Sequence, residues 1–396
     1  MKLKEKWKES TERKNIYKLI FLLSLGNIGF SVFSAFRNFN LIFFINKFTN
    51  SKTQIGFLMS IISFAGMIVP PLIGMLTDRL IGIIKYRKYV LIFGLLLFIL
   101  SLTFLEGTKN LKSLYINLTL VSIFFFASLI PFQSLVPNII PKNYFAKTNG
   151  ILNFMSYIAQ GIFIVLILFL HSDTARFLLI YLGIFISIFS ILFIPENKEE
   201  FKENERNSID FNYFKGRLWV KLFALQWFIW YGISSIGSFI LLFFQDALSA
   251  SLKDYIIALG IFGIISWIVS IPIGFIADKY SKEKLTAIGL GLLAGSGVLF
   301  SQTYRLIHTY PPLILYGISL SLLTIVPYSL LLSYIPKEKA GGFVGINNLI
   351  VSSSQTLSYF LSGLVIDYGS YRVNFLQATL ASMIALLILR RIDNSS

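Results

Sequence analysis

The sequence predicts an all-α, polytopic membrane protein of about twelve transmembrane helices, arranged as two parallel six-helix repeats. Three observations predict it. Of 396 residues, 55% are hydrophobic and only 14% charged, where a soluble domain of this length would carry roughly a quarter. The charges fall in short blocks between apolar stretches of about 18–28 residues, and about 20 such residues in a helix cross the hydrocarbon layer. The second half of the chain also repeats the first.

Backbone polar groups in lipid must be satisfied within their own segment, so every apolar stretch has to be a helix. The chain opens on "MKLKEKWKESTERKNIYK", too long and too charged for a cleaved leader, which reads as a cytoplasmic tail. Hydropathy then places six spans at about 16–45, 53–77, 88–106, 112–137, 148–171 and 175–194. "PENKEEFKENERNSIDFNYFKGR" follows as a charged connector. Six more spans fall at about 217–246, 253–276, 283–301, 307–334, 342–366 and 370–390. The expected domains are therefore an N-terminal bundle, 1–195, a cytoplasmic connector, 196–216, and a C-terminal bundle, 217–396.

The net charge of +16 does not point to nucleic acid, because it is distributed by topology. About 26 of the Lys and Arg residues lie in the N-tail, the even-to-odd connections and the C-tail, and about eight lie opposite. Both termini are expected in the cytoplasm of a cell-membrane (inner-membrane) protein, where the bases also meet anionic lipid. No cysteine is present, which excludes disulfides, thiol catalysis and cysteine–zinc sites. No H-E-x-x-H, G-x-S-x-G or Walker loop occurs, so no enzyme activity, catalytic residue, metal ligand or cofactor is expected. A monomer is expected.

The repeat is read at two offsets. Shifted by 200, "LIFFIN" (41–46) falls on "LLFFQD" (241–246), Gly74 on Gly274 and Asp78 on Asp278. Shifted by 195, Pro141 falls on Pro336, Gly150 on Gly345, Asn153 on Asn348 and Gln160 on Gln355. Six spans per repeat give both halves the same orientation.

"GMLTDR" (74–79) and "GFIADK" (274–279) resemble the G-x-x-x-D-[RK] loop motif of the major facilitator superfamily. Within that superfamily, "FQSLVPNIIPKNYFAKTNG" and "PYSLLLSYIPKEKAGGFVGINN" are similar to the sucrose-type and glycoside–pentoside–hexuronide symporter branch. There a P-[DE]-x-[IV]-P loop precedes a Gly-starting helix. This chain has Asn138 where an acid is common, and "KYRKY" (85–89) lacks the branch's Arg-rich, Pro-ended run. The resemblance implies a transporter with spans 1, 4, 7 and 10 around the cavity. It also implies a gating role for Gly74, Asp78, Arg79, Gly274, Asp278 and Lys279, the aspartates bridging helices of opposite halves when the inner side is shut. Read from the residues alone, the bases hold the loops in the cytoplasm, and Gly and Asp share a helical face where a backbone can approach and a carboxylate can meet a helix N-terminus.

Polar residues at lipid depth face a cavity or a partner far more often than lipid. On one face of the first span lie Asn27, Ser31, Ser34 and Asn38, and the same positions of the seventh hold Trp227, Tyr231, Ser234 and Ser238. The fifth offers Asn149, Asn153, Ser156 and Gln160, and the eleventh Asn348, Ser352, Gln355 and Tyr359. These stripes are the candidate substrate contacts, with interhelical packing the competing reading for the fifth and eleventh spans. The third, sixth, ninth and twelfth spans are blander and suit the lipid-facing periphery.

Arg37 is the one full charge well inside a span. It should face the cavity or pair with a carboxylate, for which Glu106, Asp246 and Asp367 are the nearest by depth. No acid falls near mid-span, so the coupling ion, proton or sodium, is unassigned and facilitated diffusion stays open. His171 and His308 read as solvated loop residues. The expected function is secondary transport of a small polar solute, a sugar or glycoside, by alternating access; the alternative is export of amphipathic or drug-like compounds.

Overall fold

The computed structural model describes residues 15–84, 87–141, 144–167, 169–170, 172–195, 216–333 and 340–393. Among them, twelve helical segments are long and apolar enough to cross a membrane. The secondary structure is helical throughout the described residues, as an interior without water requires.

The first span is not one rod. It runs as α1 (15–26), α2 (Ile28–Phe39) and α3 (Leu41–Asn46), with interruptions at Asn27 and Asn40. Ser24, Ser31 and Ser34 each return their hydroxyl to the carbonyl four residues earlier, a bond that bends helices. The Gly29 amide donates to the Ser187 hydroxyl at 2.9 Å. The next helices are α4 (Lys52–Ile84), α5 (Arg87–Glu106), α6 (Leu111–Ile139), α7 (Phe145–Ile167) and α8 (Asp173–Leu192).

The seventh span breaks near the position equivalent to Asn40 of the first. α9 (Arg217–Gly237) stops two residues before α10 (Ile240–Leu242), which passes into a π turn at Phe243–Ala247. α11 (Leu252–Lys279), α12 (Lys282–Ser301), α13 (Tyr310–Ser333), α14 (Ala340–Tyr368) and α15 (Tyr371–Asp393) complete the chain. Serines cap at least five of the described helices: Ser51 on α4, Ser172 on α8, Ser251 in a capping box with Asp254 on α11, Ser281 on α12 and Ser370 on α15.

The chain divides into two compact units, 1–44 with 68–204, and 45–67 with 205–396. The second therefore takes in the N-terminal part of α4 along with α9 to α15.

In the first unit, one face of α2 buries Phe30, Phe33 and Phe36. Phe33 meets Phe98 at 4.9 Å and Phe125 at 4.8 Å between ring centroids, and Phe36 meets Phe177 at 5.1 Å. Lipid is as apolar as these rings, so close packing rather than water exclusion holds them. α2 crosses α8 at Gly29, where a Cβ would stand 2.8 Å from Ile184 Cα.

In the second unit Gly297 of α12 faces the Phe375 carbonyl of α15, 2.7 Å from where its Cβ would be. Tyr316 of α13 donates to the Ile233 carbonyl at 2.9 Å. The twelfth span, bland by composition, holds a connected polar seam. The Asn374 amide donates to the Ser235 carbonyl at 2.9 Å, the Gln377 amide to Asn374 Oδ1 at 2.7 Å, and the Tyr231 hydroxyl to Gln377 Oε1.

Gly29→Val is expected to cost about 1–3 kcal/mol by overpacking. The measurement is thermal unfolding in detergent, with Gly161→Ala, inside α7 and with open space around it, not lowering the midpoint.

Candidate functional site

Six of the residues singled out from sequence meet in the first unit, Ser156 among them. Asn27, Ser31 and Ser34 on the first span, with Asn153 and Gln160 on α7, line a single cleft of about 270 Å³. Ser156 and Tyr157 of α7, Phe125 and Leu129 of α6, and Phe30 complete its wall. The geometry follows from two periodicities. On α2, Phe30, Phe33 and Phe36 are turned to the core, which leaves Ser31 and Ser34 on the adjoining face. On α7, 153, 156, 157 and 160 fall on one stripe at three- and four-residue steps.

The cleft is partly pre-organised. The Asn27 side-chain amide donates to Ser156 Oγ at 2.6 Å, and the Ser31 hydroxyl lies 2.9 Å from the same oxygen and 2.8 Å from the Asn27 carbonyl. One serine on α7 thus ties the interruption at Asn27 to the first turn of α2. Asn27 retains a carbonyl oxygen and a second N–H for a ligand, and Asn153 and Gln160 each bring an amide with two donors and an acceptor. The described lining consists of amides, hydroxyls, one leucine and the rings of Phe30, Phe125 and Tyr157. Such a surface can satisfy a solute carrying both donors and acceptors, and lay an apolar face against a ring.

The other candidates stand elsewhere. Arg37 and Asn38 lie on α2 beyond the cleft lining, with Arg37 Nε donating to Asn38 Oδ1 at 3.2 Å. In the second unit Trp227 stacks on Tyr231 at 5.4 Å, and the tyrosine hydroxyl is engaged by Gln377. Ser234 and Ser238 are buried, and on α14 Asn348 is exposed while Gln355 is half-buried. Gly74, Asp78 and Arg79 fall within α4, and Gly274 and Asp278 within α11, but their side chains lie outside the described residues; Lys279 is exposed at the end of α11. His171 also lies outside them.

The three carboxylates considered for Arg37 have partners of their own. Glu106 accepts from the Tyr181 hydroxyl at 2.8 Å. Asp246 lies 2.8 Å from Lys52 Nζ and accepts from the Tyr371 hydroxyl at 2.5 Å. Asp367 accepts three bonds from the first turn of α4. Among the described residues no cluster of three His, Cys, Asp or Glu could hold a metal.

Sequence reading missed Phe30, Phe125, Leu129 and Tyr157 in the cleft. They are ordinary apolar filler by composition, and only the crossing of three helices selects them. Gln377 and Asn374 could have been found, since two amides three residues apart inside an apolar span require partners.

Twelve apolar helices, with polar side chains gathered on an interrupted first span, define an integral membrane protein of the transporter class. The Major Facilitator Superfamily model matches residues 22–358, and again 222–395; the chain belongs to that superfamily and is a secondary transporter. No curated protein matches the sequence significantly. Among solved structures, a point mutant of the nucleoside transporter NupG is similar with a TM-score of 0.73 at 14% identity, over 94% of this chain and 99% of that one. A bacterial homologue of the human lysosomal transporter Spinster, inward-facing and occupied, gives 0.73 at 14% over 97% of each chain. The POT family transporter PepTSo gives 0.73 at 11% over 96% of this chain and 99% of that one. At these identities the likeness establishes the fold.

Gln377→Leu leaves the partly buried Tyr231 hydroxyl without its partner and is expected to cost about 1–3 kcal/mol. Thermal unfolding of the purified protein measures it, and the double variant with Tyr231→Phe should recover part of the loss.

Proposed function

We propose that this transporter carries a small, neutral, polar solute, a sugar or glycoside, by alternating access of two six-span halves, with the first-unit cleft as part of its binding site. The observation that carries the reading is the cleft wall itself. Amides from Asn27, Asn153 and Gln160 can bond vicinal hydroxyls in pairs, and Tyr157 and the two Phe rings suit the apolar face of a pyranose. The loop segments similar to the sucrose-type and glycoside–pentoside–hexuronide branch support the same solute class. In this reading Trp227, Tyr231, Ser234, Ser238, Asn348 and Gln355 are the candidate contacts of the other half, and Arg37 and Asn38 lie towards the outer end of the first span. The duplicated Gly74–Asp78 and Gly274–Asp278 loops act as the inner gate, and both termini face the cytoplasm, as the lysine and arginine distribution supports. The three aromatic rings favour a second reading, export of amphipathic compounds.

Thermal unfolding of the purified protein against a panel of neutral sugars and glycosides, beside amphipathic dyes, separates the two. The expected result is a rise in midpoint with one sugar class, since a ligand that binds the folded state stabilises it. Asn27→Ala and Gln160→Ala should each weaken that binding about tenfold, the loss of one or two ligand hydrogen bonds. Stabilisation by dyes alone would sink the sugar reading. Uptake into vesicles with and without proton or sodium gradients then assigns the coupling ion.

A further inference from the structure

α4 is a long helix divided between the two compact units. Its residues up to Met67 belong to the second unit and those from Ile68 onward to the first. Close to that change the helix contains Pro70 and Pro71. Neither has an N–H to donate, so the carbonyls of Gly66 and Met67 lose their four-residue partners, and a helix bends most easily at such a place.

What holds the N-terminal part of α4 on the second unit is unusually specific. Asp367, near the end of α14, places Oδ1 2.8 Å from the Lys52 amide and Oδ2 2.8 Å from both the Thr53 amide and the Ser51 hydroxyl. Two of these donors are among the orphan N–H groups of a helix start. Like α8, α11 and α12, α4 is capped by its own preceding serine, the Ser51 hydroxyl accepting from the Gln54 amide at 3.3 Å. Here a carboxylate from another helix adds a charge-assisted cap, on the end of α4 where negative charge is favoured. The Lys52 ammonium meets Asp246 at 2.8 Å. Alongside, the two helices touch backbone to backbone: a Cβ at Gly363 would collide with the Lys52 carbonyl, and one at Gly56 with the Tyr359 carbonyl.

We propose that Asp367 is a latch: its carboxylate docks the first turn of α4 onto α14, and its release frees the N-terminal part of α4 to swing about Pro70–Pro71. On the charge distribution of the sequence this end of α4 is the outer end, so the latch lies on the outer side. The Asp367 bonds lie within one turn and share one acceptor residue, which lets them break as a unit. Its place in a transport cycle rests on the alternating-access reading, but the docking itself does not.

The chain has no cysteine, so an introduced thiol is the only one. Ile55, on the docked part of α4, and Leu95, in the first unit, are both fully buried. Single variants Ile55→Cys and Leu95→Cys, purified in detergent, are reacted with a maleimide. Adding Asp367→Ala, which removes all three bonds to the cap, is expected to raise labelling at position 55 about tenfold or more and leave position 95 protected. Gly363→Val, which forces the helices apart without touching the carboxylate, should do the same. In the Asp367→Ala background, Pro70→Ala with Pro71→Ala should reduce the rise, because the restored helix bonds stiffen the joint. Unchanged labelling at 55 in the Asp367 variant overturns the latch, whatever the Gly363 variant does, and so does an equal rise at 95, which would report general loosening of the fold. Failure to bind any sugar would sink the proposed cargo and leave these labelling results standing.

Discussion

A polar group left without a partner in hydrocarbon costs several kcal/mol, and the polar anatomy of this protein is organised around that cost. It forces the chain into helices, and it governs where a helix can be interrupted. Asn27 breaks the first span beside Ser156 of α7 and a cleft of amides and hydroxyls. Gly29 N–H is taken up by Ser187, and the serines of α2 return their hydroxyls to the preceding turn. The interruption is tolerable because its neighbours satisfy it, and the same neighbours build the recess in which a solute can bond.

The duplicated sequence has produced related but unequal chemistry. The first and seventh spans are both interrupted towards their C-terminal ends, at Asn40 and at Ser238–Phe239. The break at Asn27 has no counterpart at Trp227, which continues α9 and stacks on Tyr231. Ser31 approaches a hydroxyl at the edge of a cleft, whereas Tyr231, its repeat equivalent, spends its hydroxyl on Gln377 in a packed seam. A small residue at the first position leaves space, and a large ring at the second fills it.

α4 combines two opposing demands. Its N-terminal turn is fastened by a carboxylate, an ammonium and two glycine contacts, and eighteen residues further on two prolines weaken its bonding ladder. Strong anchoring beside a soft joint confines any movement to a defined place. The close contacts at Gly56 and Gly363 depend on shape alone, while the Asp367 cap depends on charge, so the two can be perturbed separately.

Sequence by itself determined the helices, their number and the repeat, because apolar length against bilayer thickness and a constant offset between matching residues are linear properties of the chain. It also picked out the face of Asn27, Ser31 and Ser34, and that of Asn153 and Gln160, since 3.6-residue periodicity places them. Tertiary structure alone decided that these two faces meet in one cleft, that Phe125 of α6 closes it, and that Tyr231 turns to Gln377. It also sent Asp367, a candidate partner for Arg37 by depth, to the first turn of α4. Depth along a helix can be counted from sequence, but the angle at which two helices cross, and hence which polar groups come within about 3 Å, is set by the small residues where their backbones touch.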